Sequence, residues 1–294
     1  MKEIIVISGK GGTGKTSVTA ALATLASRSS KAVFADCDVD AADLHLIFSP
    51  TVLASHDFIS GHEAIIDSAL CTSCGKCMEL CRFDAVEYSV KTGYTISGCE
   101  GCGLCVTYCP VNAISFPDRL CGQWFISDTR FGTLVHAQLD AQAENSGKLV
   151  SLVRKEARLA AENQKADYLI VDGSPGIGCP VIASITGADI VLAVTEPSLS
   201  GKHDLERVIE LTKHFKVPLV VAINKFDINP DLALEIKKTC ITAHVPLAGF
   251  IAYNTEITAA QIQGKSIIEY NEHSAVAEQI GLVWKNILEE SWKQ

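Results

Sequence analysis

Twelve cysteines in a chain of 294 residues are placed unevenly. Eight fall in two runs, Cys71, Cys74, Cys77, Cys81 and Cys99, Cys102, Cys105, Cys109, each spaced C-x2-C-x2-C-x3-C. Thiolates at this spacing suit iron–sulfur clusters: three wrap corners of one cubane, and the following turn carries the fourth to a second cluster. The alternative is structural zinc, whose sites prefer separated C-x2-C pairs around one tetrahedral ion. The other four cysteines, Cys37, Cys121, Cys179 and Cys240, are scattered. The opening MKEIIVISGKGG is not a signal-peptide pattern, so a cytoplasmic protein with reduced thiols is expected.

A second pattern handles phosphate. Gly9-Lys10-Gly11-Gly12-Thr13-Gly14-Lys15-Thr16 follows an apolar run and precedes a helical pattern, matching G-x4-G-K-[ST]. In such a loop, backbone N–H groups and a helix N-terminus cradle phosphates. Lys15 is expected to reach the β- and γ-phosphates and Thr16 to hold Mg2+, with Ser17 completing the nucleotide-binding segment. Asp36, Asp38 and Asp40 alternate after the second apolar run, with Asp43 close behind, and repel one another unless Mg2+ or its waters neutralise them. A solvated loop is the alternative for Asp36, Asp40 and Asp43. A third apolar run ends at Asp172, followed by Gly173-Ser174-Pro175-Gly176. Asn224-Lys225-Phe226-Asp227 reads N-K-x-D, which in GTPases recognises guanine.

Lys10 beside the first glycine makes the loop resemble the deviant Walker A of the MinD/ParA superfamily, which includes septum-site ATPases, partition ATPases and the nitrogenase iron protein. That resemblance implies that Lys10 contacts the nucleotide of a partner subunit, so that two ATP molecules are sandwiched in a homodimer or a heterodimer with a related ATPase. It implies that Asp38 orients the attacking water, that Asp38 and Asp172 serve Mg2+ beside Thr16, and that Asn224 reads the adenine edge. ATP is therefore expected despite N-K-x-D. The segments GQWFISDTRFGTLVHAQL, residues 144–150, DGSPGIGCPVIASITGAD and TEPSLSGKHDLERV resemble, more narrowly, MinD-superfamily ATPases with an inserted ferredoxin domain. The cysteine runs are similar to a bacterial two-cluster ferredoxin. By that likeness one 4Fe-4S cluster takes Cys71, Cys74, Cys77 and Cys109, and the other takes Cys99, Cys102, Cys105 and Cys81. Arg82 stands where the second copy has Pro110; proline shapes a turn there and is not a ligand.

The elements that must position these groups read as a doubly wound α/β, mainly parallel sheet of the P-loop NTPase type. Short β-branched runs (4–8, 32–35, 168–171, 190–194, 219–223, 248–251) alternate with helical segments (from Lys15, then 148–163, 181–186, 202–214, 232–242, 256–263, 275–290). Residues 1–60 and 117–294 are expected to form the ATPase domain, and 61–116 an inserted α+β ferredoxin-like domain. The insertion is an internal repeat with a hairpin over 86–96.

Acidic residues outnumber basic ones 34 to 25, a formal net charge of -9 that disfavours a nucleic-acid partner. Residues 61–116 hold six acids and three bases, or -3. Two oxidised clusters with their thiolates would each add about -2, so a redox partner is expected to present a basic surface. The expected function is an ATP-gated, dimeric electron carrier. The alternatives are an iron–sulfur assembly or carrier protein, in which Cys179 and Cys240 hold a transferable cluster, and a MinD-like positioning ATPase. In the last, residues 275–292 would lie on a membrane; Lys285 and Lys293 are balanced by Glu289 and Glu290, so packing on the sheet is expected instead.

Overall fold

The computed structural model describes residues 1–140 and 145–291. It divides into two compact units: one of Met1–His56, Trp124–Gln138 and the chain from Ser146 onward, the other of Asp57–Gln123 with Leu139, Asp140 and Asn145.

The chain runs β1 (Lys2–Ser8), α1 (Lys15–Ser27), β2 (Ala32–Asp36), α2 (Leu44–Phe48) and β3 (Thr51–His62), whose residues from Asp57 fall in the second unit; the first unit resumes at Trp124 within β4 (Asp118–Thr129) and continues with β5 (Gly132–Leu139) to Gln138 and with α3 (Ser146–Gln164). Then follow β6 (Tyr168–Pro175), α4 (Cys179–Ile185), β7 (Ile190–Thr195), α5 (Leu199–His214), β8 (Leu219–Asn224), α6 (Pro230–Thr242), β9 (Leu247–Ile251), α7 (Thr255–Ile262), α8 (Ile267–Tyr270) and α9 (Ala275–Ser291). The sheet has nine strands in the order β9-β8-β7-β1-β6-β2-β5-β4-β3. Every pairing from β9 to β5 is parallel. Strands buried on both faces need continuous apolar runs, and Ile4–Ile7, Val191–Val194 and Val221–Ile223 supply them with essentially no exposure.

Helices α1 and α9 pack against one core cluster, where Val18, Leu22, Ile280, Val283 and Ile287 meet Ile4, Leu192 and Val220. A second cluster joins Phe34 and Leu134 of the sheet to Leu44 and Phe48 of α2. Burial of Val283 and Ile287, with Trp284 packed against the core, shows α9 seated on the sheet. Leu282 faces outward at 60% exposure, and Trp292 and Lys293 lie outside the described residues. No described helix is long and apolar enough to cross a membrane.

The strands read from sequence all form, and β6 continues through Pro175 rather than stopping at Val171. Strands β3, β4 and β5 and the short helix α2 were not legible in the apolar pattern. Most of β3 is solvent-exposed, so it lacks the buried face whose periodicity would announce it.

In the second unit each cysteine run is followed through the same local geometry. Gly75 (φ 77°) and Gly103 (φ 70°), both left-handed, precede the short helices Lys76–Leu80 and Leu104–Thr107. Val86–Ser89 and Gly93–Ile96 form the expected hairpin, with Tyr88 opposite Tyr94. Ile65–Ile66 pairs antiparallel with Ile114–Ser115, tying the start of this segment to its end.

Truncating Ile287 to Ala should cost about 2–4 kcal/mol by transfer and cavity terms, whereas Leu282→Ala should stay within about 0.5 kcal/mol. Urea unfolding of the two variants checks the seating of α9; equal costs would contradict it.

Candidate functional site

Strands β1, β6 and β2 lie side by side, and their carboxyl ends converge on one site, as parallel α/β sheets generally arrange. Val6 is in register with Asp172, and Asp172 with Asp36. Lys15, at the start of α1, reaches into this row: its Nζ is 2.8 Å from Asp172 Oδ2 and 3.2 Å from Asp38 Oδ2. Thr16 donates its hydroxyl to Asp172 Oδ2 at 2.8 Å. Thr19, one turn further along α1, donates to Asp172 Oδ1 at 2.7 Å. Asp36 accepts main-chain N–H groups from Asp38 and Leu44 at 3.1 Å each.

Asp36, Asp38, Asp172 and Lys15 are all buried. Burial and the Asp172 charge push the Asp36 carboxyl up to about 8. Burial also raises Asp38, against the pull of Lys15. Burial acts to lower Lys15, but Asp172, Asp38 and Asp36 outweigh it and hold the ammonium above its ordinary value. The solvated-loop reading is thus corrected for Asp36, a fully buried group, while Asp40 and Asp43 are exposed.

The phosphate loop is preorganised. Gly12 (φ 80°) and Gly14 (φ 89°) are left-handed, and a Cβ on Gly14 would lie 2.4 Å from Asn224 Nδ2. Asn224 is buried and donates Nδ2 to Thr13 O at 2.8 Å, so it pins the loop. Thr13 is buried, and among the described residues its Oγ1 is the buried side-chain polar atom with no hydrogen-bond partner. An orphaned hydroxyl inside a loop of this form suits a ligand bearing acceptor oxygens.

Lys10 does not enter the carboxylate row. Its Nζ pairs with Glu196 Oε1 at 2.7 Å and donates to Ser198 and Ser200 at 3.1 and 2.9 Å. Lys225 holds the other oxygen of Glu196 at 3.0 Å and donates to Gly12 O at 2.9 Å. Burial works against Glu196 ionising, yet the two lysines keep it below the usual carboxylate range. Glu196 and Thr19 were not foreseen; Thr19 could have been, since it lies four residues beyond Lys15 on one helix face. Ser17 lies beside a cavity lined by Gly14, Val18, Asn224, Lys225 and residues 252–254.

In the second unit the eight cysteines surround two cavities. Cys71, Cys74, Cys77, Cys105 and Cys109 line the first. Cys81, Cys99, Cys102 and Cys105 line the second. Main-chain N–H groups point at sulfur: Ala64 and Gly101 to Cys99 and Ser73 to Cys71 at 3.4 Å, and Ala113 to Cys109 at 3.3 Å. Burial, with the nearby Cys71 and Cys74, raises the Cys77 thiol; burial, with Cys99 and Cys102, raises Cys105. Among the described residues no group of three or more His, Cys, Asp or Glu is gathered closely enough to hold a metal ion; the thiols instead ring the two cavities. Of the scattered cysteines, Cys37, Cys121 and Cys240 are buried and Cys179 is exposed. Burial pushes the Cys240 thiol up to about 11.

Residues 4–267 match the model of the CobQ/CobB/MinD/ParA nucleotide-binding domain. An uncharacterized protein of Methanocaldococcus jannaschii is 33% identical over 227 residues, covering 77% of this chain and 79% of its own length. A second from that organism is 25% identical over 290 residues, covering 97% and 98%. Among solved structures, the septum site-determining protein MinD of Pyrococcus horikoshii complexed with Mg-ADP superposes with a TM-score of 0.60 at 17% identity, over 99% of this chain and 98% of that one.

Replacing Lys15 by Ala should leave Asp172 and Asp38 without their cation. The nucleotide-free protein should lose about 3 kcal/mol, as when one partner of a buried pair is removed, and Mg2+-dependent ATP hydrolysis should vanish. A Lys15→Ala protein with unchanged melting and turnover would contradict this site.

Proposed function

Since the chain belongs to the CobQ/CobB/MinD/ParA nucleotide-binding family, we propose that it is a Mg2+-dependent ATPase carrying two 4Fe-4S clusters, whose nucleotide state gates electron transfer to a partner protein. The observation that carries the nucleotide half is the buried row of Lys15, Asp38 and Asp172 beside the orphaned Thr13 hydroxyl. The cluster half is supported by the two cavities, each lined by three cysteines of one run and the last cysteine of the other, with Cys105 lining both.

Thr16, Asp38 and Asp172 would hold Mg2+, which neutralises phosphate charge when bound. Phosphate oxygens draw Lys15 away from Asp172 and Asp38. Asp38, released from Lys15, then orients the attacking water, and the loop N–H groups hold the phosphates in line. Lys10 must leave Glu196, Ser198 and Ser200 to reach the nucleotide of a second subunit, so closure of an ATP-bound dimer exchanges one set of Lys10 partners for another.

Clusters bound there would supply one-electron transfer, and the N–H donors to Cys71, Cys99 and Cys109 would disperse sulfur charge around them. The acidic composition of residues 61–116 favours a basic docking surface on the partner.

A second reading, iron–sulfur assembly, is favoured by one observation: Cys179 is exposed at the start of α4, seven residues beyond Asp172. The buried Cys240 does not fit it.

Anaerobically purified protein should hold about eight iron and eight sulfide per chain, and Cys179→Ser should leave that content unchanged. A loss of iron in Cys179→Ser favours the assembly reading, and colourless, zinc-loaded protein contradicts both. Reduction of an acceptor should require hydrolysable ATP and stop in Lys15→Ala; reduction equally fast without nucleotide contradicts gating.

A further inference from the structure

One side chain holds the chain just before it enters the second unit and just after it leaves. Arg130 occupies the tip between β4 and β5, next to Thr129 at the end of β4. Its Nε and Nη2 lie 2.6 and 3.0 Å from the two carboxylate oxygens of Glu269 in α8. Nη1 donates to Phe48 O at 3.0 Å, and Nη2 reaches Ile47 O and Gly264 O at 2.8 Å each. Ile47 and Phe48 end α2, and β3 starts soon after, at Thr51. All of these partners belong to the first unit. The chain nevertheless enters the second unit along β3 and returns along β4, so one guanidinium holds the root of each strand.

A short helix leaves its last carbonyls without intrahelical donors, and a cation at its C-terminus satisfies them. A guanidinium, with donors spread over a planar fork, takes three carbonyls and both oxygens of a carboxylate together; an ammonium is a point charge with three donors. The tip that carries Arg130 is braced. Thr129 Oγ1 donates to Gly132 O at 2.6 Å and accepts the Phe131 N–H at 3.2 Å. The Phe131 ring lies 4.4 Å from the Arg130 Cζ and packs edge-on against Phe48, with centroids 4.7 Å apart.

At its other end α2 answers to the nucleotide site. Asp36 accepts the Leu44 N–H on Oδ2 and the Asp38 N–H on Oδ1, at 3.1 Å each. One carboxylate thus ties the start of α2 to the segment that sets Asp38 against Lys15. We propose that Arg130 couples nucleotide state to the second unit, by passing a displacement of α2 to the roots of β3 and β4. The inference deepens the gating reading above and rests on its nucleotide half. Coupling of this kind needs an element whose arrangement both sites bias. That element is α2, held by Asp36 at one end and by Arg130 at the other. Arg130 touches no reacting atom and is a positioning residue.

Hydrogen–deuterium exchange of the full-length protein, with Mg-ADP and with a non-hydrolysable Mg-ATP analogue, tests the coupling. In the wild type, exchange over residues 44–48, 51–56 and 124–131 should differ about fivefold or more between the two states. Arg130→Gln should keep the difference at 44–48, reduce it below about twofold at 51–56 and 124–131, and still hydrolyse ATP within about threefold of the wild-type rate. If Arg130→Gln does not fold, Arg130→Lys supplies the same comparison, since it keeps the charge beside Glu269 and loses the fork. A merely structural Arg130 would speed exchange equally in both nucleotide states and leave their ratio intact, which overturns the proposal. A wild-type ratio near one at 51–56 and 124–131 overturns it alone. Calorimetry that finds neither nucleotide bound overturns the nucleotide reading beneath it as well.

Discussion

The first unit depends on one buried charge imbalance. Three carboxylates, Asp36, Asp38 and Asp172, share a desolvated site with one ammonium, Lys15. Without nucleotide the imbalance is eased by two means: Lys15 pairs with Asp38 and Asp172, and burial beside Asp172 raises the Asp36 carboxyl, which disfavours a third negative charge. Phosphate groups compete for Lys15. Once they take it, Asp38 and Asp172 lose their cation in a place where an unpaired charge costs several kcal/mol. A divalent cation must therefore enter with the phosphates, and the requirement for Mg2+ follows from the carboxylates as much as from the nucleotide.

The sheet enforces this crowding. Asp36 and Asp172 are register partners on adjacent parallel strands, about 4.8 Å apart in the pairing direction, so neither can withdraw without unzipping β2 from β6. Thr16 and Thr19 come from the same helix as Lys15 and orient the Asp172 carboxylate from one side. The apolar runs that make β1, β2 and β6 a core are thus also the rails that bring like charges together. Lys10 belongs to a different balance: Glu196, just beyond the end of β7, holds it together with Lys225, outside the carboxylate row.

Much of this was legible before the structure. The Gly9–Thr16 motif and the carboxylates at strand ends carry local signatures, because their chemistry demands fixed spacing along the chain. So do the cysteine runs, and the pairing of Cys109 with the first run across a cavity had its only cue in likeness to ferredoxins. What was not legible depends on contacts distant in sequence. Asp36 reads like Asp40 in the chain, yet one is fully buried and the other exposed. Glu196 sits 186 residues from Lys10, and Glu269 lies 139 residues beyond the Arg130 it pairs with. Strands β3 to β5 lack the continuous apolar pattern that identified the others.

The second unit shows the same economy at sulfur. Main-chain N–H groups that elsewhere close sheets are spent here on Cys71, Cys99 and Cys109, and left-handed glycines repeat at matching places in both runs. The central claim is that the two halves of the chain share one thermodynamic cycle, so that nucleotide state changes the energy of the transferred electron. An EPR-monitored redox titration of the anaerobic protein, with Mg-ADP and then with a non-hydrolysable Mg-ATP analogue, tests it most directly. The account predicts 4Fe-4S signals whose midpoint differs between the two states by about 60 mV, a tenfold change in a one-electron equilibrium. Identical midpoints, or no cluster signal in either state, would contradict it.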